Sequence, residues 1–404
     1  MLKLNNMLNF LAKLIYLKFK PKIIVVSGTT GKTTTIEIIK RFLSNRKNIF
    51  SVEYHKDHKL SIPLTFLLEK DYKLLKNILK GLKILFFTKN YPEYILLEFG
   101  FEDPKVVDYW TKNLMIDYLI ITSIGEVPAY SEVFAGPENI KRKKKKLIEI
   151  VKSTGLIILN NDDISCLELV EKENKNNVVY FGFAEDSDFR CSHYEIICDL
   201  YSTPSICGTS IEIITKFGKK KIFLRNLFGK GIIYSCLAST ALLYNLGFEL
   251  EDIGNYLETF SGVKHRCELI KSKKGYYILD DSFHLTQASF WNIFDIFTKI
   301  PAKRKIALIG DCITAGKYGM EFHFEIGEKL KDVCDFVITF GLRAKYTKDS
   351  LIAYGFDESK TNHFYHTQHN ELLNFLEELL KPDDLILITG DKRLNLHRIV
   401  DHLS

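Results

Sequence analysis

The run Val25-Val26-Ser27-Gly28-Thr29-Thr30-Gly31-Lys32-Thr33-Thr34-Thr35 constrains this chain more than any other feature of it. It follows a β-rich apolar segment, Ile23 to Val26, and opens what reads as a helix, Thr33 to Leu43. In that setting glycines let backbone N–H groups curl around a phosphate, and the helix N-terminus adds the positive end of its dipole. Lys32 then reaches the β- and γ-phosphates, and the Thr33 hydroxyl can ligate Mg²⁺. Gly28, Thr29, Thr30, Gly31, Lys32, Thr33 and Thr34 are therefore the candidate nucleotide-binding residues. The full G-x-x-x-x-G-K-[ST] spacing would put its first glycine where Val26 stands, so the loop is a shortened variant. A chance GK[ST] is common; one between a strand and a helix with this threonine run is not. The segment Ile95-Leu96-Leu97 ends in Glu98, and a carboxylate at a strand end beside a phosphate loop can hold Mg²⁺ directly or through water. Without the loop, Glu98 would read as an ordinary strand-end glutamate.

With 404 residues, 46% of them hydrophobic and 26% charged, the chain can bury a sizeable core but exceeds one compact unit. From Lys22 onward, β-rich runs at Tyr94–Leu97, Tyr118–Thr122 and Leu156–Leu159 alternate with helical stretches, which predicts a mainly parallel sheet with crossover helices. Between about Val178 and Leu227 the character changes. Ser210–Thr215 and Lys221–Leu224, separated by Gly218 and lysines, look like antiparallel hairpins, and a helix over Ile232–Leu246 follows. Past Gly262, strands at Tyr276–Leu279, Lys305–Ile309, Phe336–Thr339 and Leu385–Ile388 are spaced by helices, a second, Rossmann-like α/β set. The expected organisation is an N-terminal amphipathic helix over residues 1–20, a P-loop ATP-binding α/β domain over 21–261, and a C-terminal Rossmann-like α/β domain over 262–404.

No stretch approaches the roughly 20 apolar residues that a membrane span needs, so a soluble protein is expected. The opening Met1–Lys20 is interrupted by Lys3, Lys13, Lys18 and Lys20 and lacks a small-residue cleavage site, unlike a signal peptide. As an amphipathic helix (Leu4, Leu8, Leu11, Ile15) it either makes weak peripheral contact with an anionic membrane or packs on the domain that follows, the plainer expectation. Eight scattered cysteines without a CxxC pair signal neither a zinc ribbon nor a disulfide framework, which fits a reducing cytoplasm. A net charge of +6 suits a small anionic substrate, and no nucleic-acid partner is expected. The densest basic run, Lys141 to Lys146, lies in a helix continuing to Leu147, Ile148 and Ile150, where a solvated face accounts for most of it.

The short GTTGKTTT loop resembles that of the Mur ligases, and further segments resemble their D-alanyl-D-alanine-adding branch. Ile62-Pro63-Leu64-Thr65 resembles the branch's "GVPLT", Leu97-Glu98-Phe99-Gly100 its "ELG", and Leu159 to Asp163 its "LNADD". Ile121-Thr122-Ser123-Ile124-Gly125 with Phe134, Gly136 and Glu138 resembles "TNIG…FG..E". Later, Gly262 to Glu268 resembles "GR.E", Ile278 to Ser282 "IDDSYN", Ile309-Gly310-Asp311 "LGDM", and His323 to Gly327 "H.E.G". Each match is short, but their order holds over nearly the whole chain from residue 21. The resemblance implies a central ATPase domain plus a C-terminal Rossmann-like domain; the family's usual N-terminal domain, which grips the UDP-sugar precursor, has no counterpart in the first twenty residues.

The chemistry implied is amide-bond formation. ATP phosphorylates a substrate carboxylate, Mg²⁺ and Lys32 neutralise charge on the transferred phosphoryl group, and an amine displaces phosphate. The expected partners are a carboxylate precursor, such as a UDP-linked muramyl peptide, and an amino acid or dipeptide. In the family a carbamylated lysine bridges the metal; its place, sixteen residues before Asn160, falls on Lys144. By the same resemblance Asp280, Asp281 and Ser282 approach the nucleotide, Arg266 reaches phosphate on domain closure, and His323 places the amine or caps a helix. Departures are visible: Tyr130 stands where the family has a metal-binding histidine, and Gly231 and Ser235 replace the histidine and asparagine of G-x-H-x-x-x-N. The run Phe283 to Gln287 replaces "YNANP", and Thr389-Gly390-Asp391-Lys392 replaces "KGSR". Three readings compete: an active amide ligase, a Mur-fold ATP-binding scaffold that has lost ligation, and a P-loop ATPase of unrelated chemistry. Phosphate release stimulated by an amino acid or dipeptide separates the first from the second, and an amide product separates it from the third.

Overall fold

The computed structural model describes residues 2–52, 58–99, 108–124, 137–170, 177–200, 202, 205–283 and 285–404. Strands and helices divide between two compact units. The first comprises Met1–His193, Glu212–Ile222 and Ile232–Leu257; the second comprises Tyr194–Ile211, Phe223–Gly231 and Glu258–Ser404. Residues 194–211 and 223–231 thus precede residue 258 in sequence yet belong to the second unit. Their side chains explain why, since Leu200, Cys207 and Phe228 pack into the same core as Leu279 and Phe290 of the second unit.

The first unit is built on β1 (Lys22–Ser27), β2 (Ile49–Ser51), β3 (Tyr94–Phe99), β4 (Ile116–Ile121), β5 (Val151–Asn160) and β6 (Asn177–Gly182), which lie in the order β2-β3-β1-β4-β5-β6, all parallel. Strand β1 is buried at every position after Lys22, the continuous apolar run of a strand covered on both faces. The sheet continues through β7 (Phe189–Asp199), β8 (Ile206–Thr215) and β9 (Gly218–Arg225). Only Lys216 and Phe217 join β8 to β9, too short a link for a parallel crossover, so the predicted hairpin forms. Helix α1 (Leu2–Phe19) buries Leu8, Leu11, Ala12 and Ile15, packing on α3 (His58–Phe66) and α4 (Leu74–Phe87). Packing is thus the fate of its inner face. The other helices are α2 (Lys32–Leu43), α5 (Pro137–Glu149), α6 (Ile164–Leu167), α7 (Gly229–Asn245) and α8 (Leu250–Thr259).

In the second unit, β10 (Glu268–Lys271) pairs antiparallel with β11 (Tyr277–Asp281). Strands β12 (Arg304–Gly310), β13 (Phe336–Phe340), β14 (Thr361–Phe364) and β15 (Asp384–Thr389) complete the order β10-β11-β15-β12-β13-β14, parallel from β11 on. Helices α9 (Gln287–Lys299) and α10 (Gly319–Leu330) cover one face through Phe290, Ile293, Phe322 and Ile326. Helices α12 (His369–Leu379) and α13 (Leu396–Leu403) cover the other through Leu372, Leu376, Leu396 and Val400; α11 (Lys345–Ala353) links β13 to β14. This is the doubly wound arrangement expected of a Rossmann-like sheet.

Cys198 on β7 and Cys207 on β8 lie side by side, with Cα atoms 4.1 Å apart. Nine residues of separation say nothing of pairing until adjacent strands set the two side by side. Among the described residues no helix is long and apolar enough to cross a membrane.

Candidate active site

The strand order places β1 between β3 and β4, so the loop leaving β1 is flanked by the ends of both. Ser27 lies opposite Phe99 on one side and Ile121 on the other. Gly28, at φ 147°, sits so close to β4 that a Cβ there would strike the Thr122 hydroxyl and crowd the Ser123 backbone. Gly31, at φ 82°, adopts the left-handed conformation at the N-cap of α2. These two positions require glycine.

The residues after β4 lock the loop. Thr29 N–H donates to Ser123 O at 2.7 Å and its hydroxyl to Ile124 O at 2.8 Å, while the Thr30 and Ser123 hydroxyls lie 3.0 Å apart. A second layer holds that segment in turn: Asn160 Nδ2 donates to Thr122 O at 2.9 Å, and Ile124 N–H donates to Asp163 Oδ2 at 2.6 Å. Asp163 also caps α6 through Cys166 N–H. The segments Ile121–Ile124 and Leu159–Asp163 thus meet behind the phosphate loop. Sequence reasoning matched them as motifs but gave Thr122, Ser123, Asn160 and Asp163 no role; polar residues at the ends of buried strands were the available signal.

Lys32 Nζ donates to Gly28 O at 2.9 Å, which holds its ammonium over the loop. The Thr33 hydroxyl stands 3.4 Å from both carboxylate oxygens of Glu98. An aliphatic hydroxyl and a carboxylate converging beside a phosphate loop form the all-oxygen donor set that suits a hard divalent cation such as Mg²⁺. Thr34 follows on the first turn of α2, and Ser235 reaches the same turn, its hydroxyl 3.4 Å from Gly31 O.

Lys144 on α5 is distinguished from its neighbours by burial, with only 1% of its surface exposed. Lys141 pairs with Glu168, Lys146 with Asp108, and Lys145 faces solvent. Burial, reinforced by the Lys32 charge, lowers the Lys144 pKa to about 7. Lys32 and Asp163 both act electrostatically on Lys144, so the structure brings Lys144 to the loop.

In the second unit, residues at the end of β11 form a separate cluster. Asp280 is fully buried; it accepts a hydrogen bond from Ser282 N–H at 2.9 Å, and its Oδ2 lies 2.7 Å from His265 Nδ1. The hydrogen bond to Asp280 raises the His265 pKa against the opposing effect of burial. Asp281 accepts from Cys267 N–H, and burial pushes its pKa up to about 7 despite Arg266. The Arg266 guanidinium lies over the Phe283 ring at 4.7 Å. Ser282 is buried and its Oγ has no hydrogen-bond partner among the described residues.

His323 does not join this cluster. It is fully buried, Nε2 accepts from Cys312 N–H at 3.0 Å, and Nδ1 lies 3.0 Å from Thr347 Oγ1. Both ring nitrogens are engaged, and burial lowers the pKa to about 3, so the ring is neutral. It lies inside α10 and is closed to a substrate amine, so neither placing an amine nor capping a helix fits. It ties the loop after β12 to α11. His323→Ala should destabilise the second unit by about 2–4 kcal/mol, because it removes packing and strands a buried amide and hydroxyl. Chemical denaturation checks this; a change below about 0.5 kcal/mol would refute the structural role.

Residues 26–243 match the Mur ligase middle domain, and residues 265–392 match the Mur ligase glutamate ligase domain. The chain belongs to the Mur ligase family. This Mur ligase is 23% identical over 395 residues to a UDP-N-acetylmuramoyl-tripeptide–D-alanyl-D-alanine ligase of Bacillus subtilis, covering 97% of this chain and 78% of the relative. It is 24% identical over 289 residues to a UDP-N-acetylmuramate–L-alanine ligase of Caldanaerobacter subterraneus, covering 70% of this chain and 60% of that one. MurF from Acinetobacter baumannii shares its fold with a TM-score of 0.79 at 20% identity, covering 98% of this chain and 79% of the other. MurF from Thermotoga maritima in complex with ADP gives 0.76 at 21% identity, covering 99% and 83%. In this Mur ligase Gly231 lies in the first turn of α7, where an added Cβ would meet nothing within 4 Å, and Ser235 faces Gly31. Tyr130, Phe134 and Gly136 lie outside the described residues, as does the side chain of Glu138.

Proposed function

We propose that this Mur ligase uses ATP to activate the terminal carboxylate of a UDP-linked muramyl peptide and joins it to the amine of D-alanyl-D-alanine. The observation that carries the proposal is the convergence of Lys32, the Thr33–Glu98 pair and buried Lys144 on one phosphate loop. Relatives named for D-alanyl-D-alanine addition, matched along nearly the whole chain, support the choice of substrates.

The loop amides from Gly28 to Thr34 and the N-terminus of α2 hold the β- and γ-phosphates, with Lys32 swinging from Gly28 O onto them. The precursor carboxylate attacks the γ-phosphorus and ADP leaves. The resulting acyl phosphate is attacked by the neutral amine, the tetrahedral intermediate expels phosphate, and the amine proton passes to solvent. Thr33 and Glu98 are the residues that would hold Mg²⁺, whose chemistry is to neutralise negative charge on the phosphates. Lys144, as a neutral amine, adds CO₂ and releases a proton, and the carbamate so formed would be a further anionic residue able to hold Mg²⁺. Arg266, Asp280, Asp281 and Ser282 carry over from the family as nucleotide-approaching residues of the second unit, with His265 fixing Asp280. A cytoplasmic site of action accords with these substrates. The degenerate scaffold finds no support, since Gly31, Lys32, Thr33 and Glu98 are assembled at one loop.

The test is phosphate release from ATP and Mg²⁺ by the purified chain, screened against UDP-muramyl peptides with amino acids or D-alanyl-D-alanine, with products identified by mass spectrometry. Release that requires both the tripeptide precursor and D-alanyl-D-alanine, with the matching amide detected, is expected. Amide formed only with another pair would reassign the substrates; turnover without amide would remove the ligase reading.

A further inference from the structure

Helix α4 is apolar on both sides, with Ile84 in the core, Leu74, Ile78 and Leu85 packed against it, and a second apolar row turned the other way. Leu75, Leu79, Leu82 and Phe86 recur at the i, i+4, i+7, i+11 spacing of one helical face. That face points outward: Leu75 is 77% exposed, Leu79 67%, Phe86 73% and the adjacent Phe87 79%. The opposite face, with Asn77, Gly81 and Ile84, is the buried one. Gly81 allows α1 to come close, since a Cβ there would press on Leu11 of α1 and Leu67. Helix α1 adds a stripe of its own, with Met7, Phe10 and Leu17 exposed behind its packed residues.

The charges on the two helices themselves have one sign. Neither α1 nor α4 contains an acidic residue. Lys76, Lys80 and Lys83 each follow an outward apolar residue by one position, about 100° around the helix, so they flank the apolar stripe along one edge. Glu69 pairs with Lys76 and Lys80, while Lys83 and Lys89 stand exposed at the Phe86–Phe87 end. A second copy of the chain fits this face poorly, because a two-fold contact would set lysine against lysine with no carboxylate in either helix to answer.

We infer that the outward face of α4, together with the exposed stripe of α1, docks the protein in the plane of an anionic lipid surface. A convex helix with an apolar stripe, lysines along its flank and phenylalanines at one end is the form that lies at the headgroup boundary, with its side chains among the acyl chains and its ammonium groups at lipid phosphates. Any contact through residues 1–20 is then the smaller part of a surface dominated by a helix some seventy residues further on.

The test floats the purified full chain with vesicles of phosphatidylcholine alone and of phosphatidylcholine containing about 30% phosphatidylglycerol. At low salt, recovery with the anionic vesicles should exceed that with neutral ones by about 10-fold and fall as salt rises. The double variant Leu79→Glu/Phe86→Glu alters only exposed side chains; it should keep the helical circular dichroism of the parent and lose flotation by about 10-fold. Equal recovery with both vesicles, flotation unchanged in the double variant, or absence of flotation with a self-association in sedimentation that the variant abolishes would each overturn the inference. None of these readouts depends on the ligase reaction, so failure here and failure of the substrate assignment are separable.

Discussion

Lys32→Ala is expected to lower ATP turnover by at least ~10³-fold while the chain remains folded. The ammonium is held by Gly28 O at 2.9 Å and Thr29 O at 3.4 Å, contacts made by backbone carbonyls on a partly exposed loop. Losing them should cost less than about 1 kcal/mol of stability, since the carbonyls can turn to water. What the variant lacks is the loop's own side-chain cation, the charge that meets the negative charge building on the β,γ-bridging oxygen as ADP leaves. Because that demand peaks in the transition state, the loss should fall mainly on kcat, with a smaller effect on the apparent affinity for ATP. Steady-state phosphate release alongside calorimetric ADP binding separates the two. Turnover within a few-fold of the parent would remove the phosphate-loop assignment, and with it the placing of Thr33 and Glu98.

The loop, its strand and its helix were legible because the signals are local: an apolar run, two glycines and a GKT sequence lie within a dozen residues. The parallel strands were equally legible, since short apolar segments such as Ile95–Leu97 and Leu385–Ile388, alternating with helical stretches, fit strands buried on both faces. Short pieces were not; β2 and β14, of 3 and 4 residues, carry too little pattern to separate from a loop. The supports of the site depended on strand order. Asn160 and Asp163 come to Thr122 and Ile124 only because β5 lies beside β4, which no periodicity states. His323 shows the converse. A histidine in a motif invites a chemical role, yet a backbone amide and a hydroxyl already occupy both its nitrogens. Helix α4 escaped notice because its apolar spacing is that of any amphipathic helix, and the sequence does not say which face the core will take.

Lys144 gives the sharpest division between a chemical and a structural lysine. A lysine buried for packing alone would be replaceable by methionine, which keeps the length and removes the desolvated amine. Its pKa, lowered to about 7, means that between pH 7 and 10.5 the unfolded chain binds a proton that the folded one does not. Stability therefore rises with pH across that window, and below it the buried cation is a standing cost. Lys144→Met should remove that cost, making the protein more stable at pH 6 to 7 by an amount on the order of a few kcal/mol and flattening the rise toward pH 10. The same substitution, like Lys144→Ala, should lower ligation by ~10²-fold or more, since no carbamate can form. In the alanine variant the vacated space lets acetate or another short carboxylate restore part of the activity. In the parent, activity in CO₂-depleted buffer should fall and return with added bicarbonate, more readily above pH 7, where the amine is neutral, than at pH 6. Full activity in either variant, or parental activity indifferent to CO₂ with no carboxylate rescue of Lys144→Ala, would remove the carbamate and leave Lys144 a structural residue beside the loop.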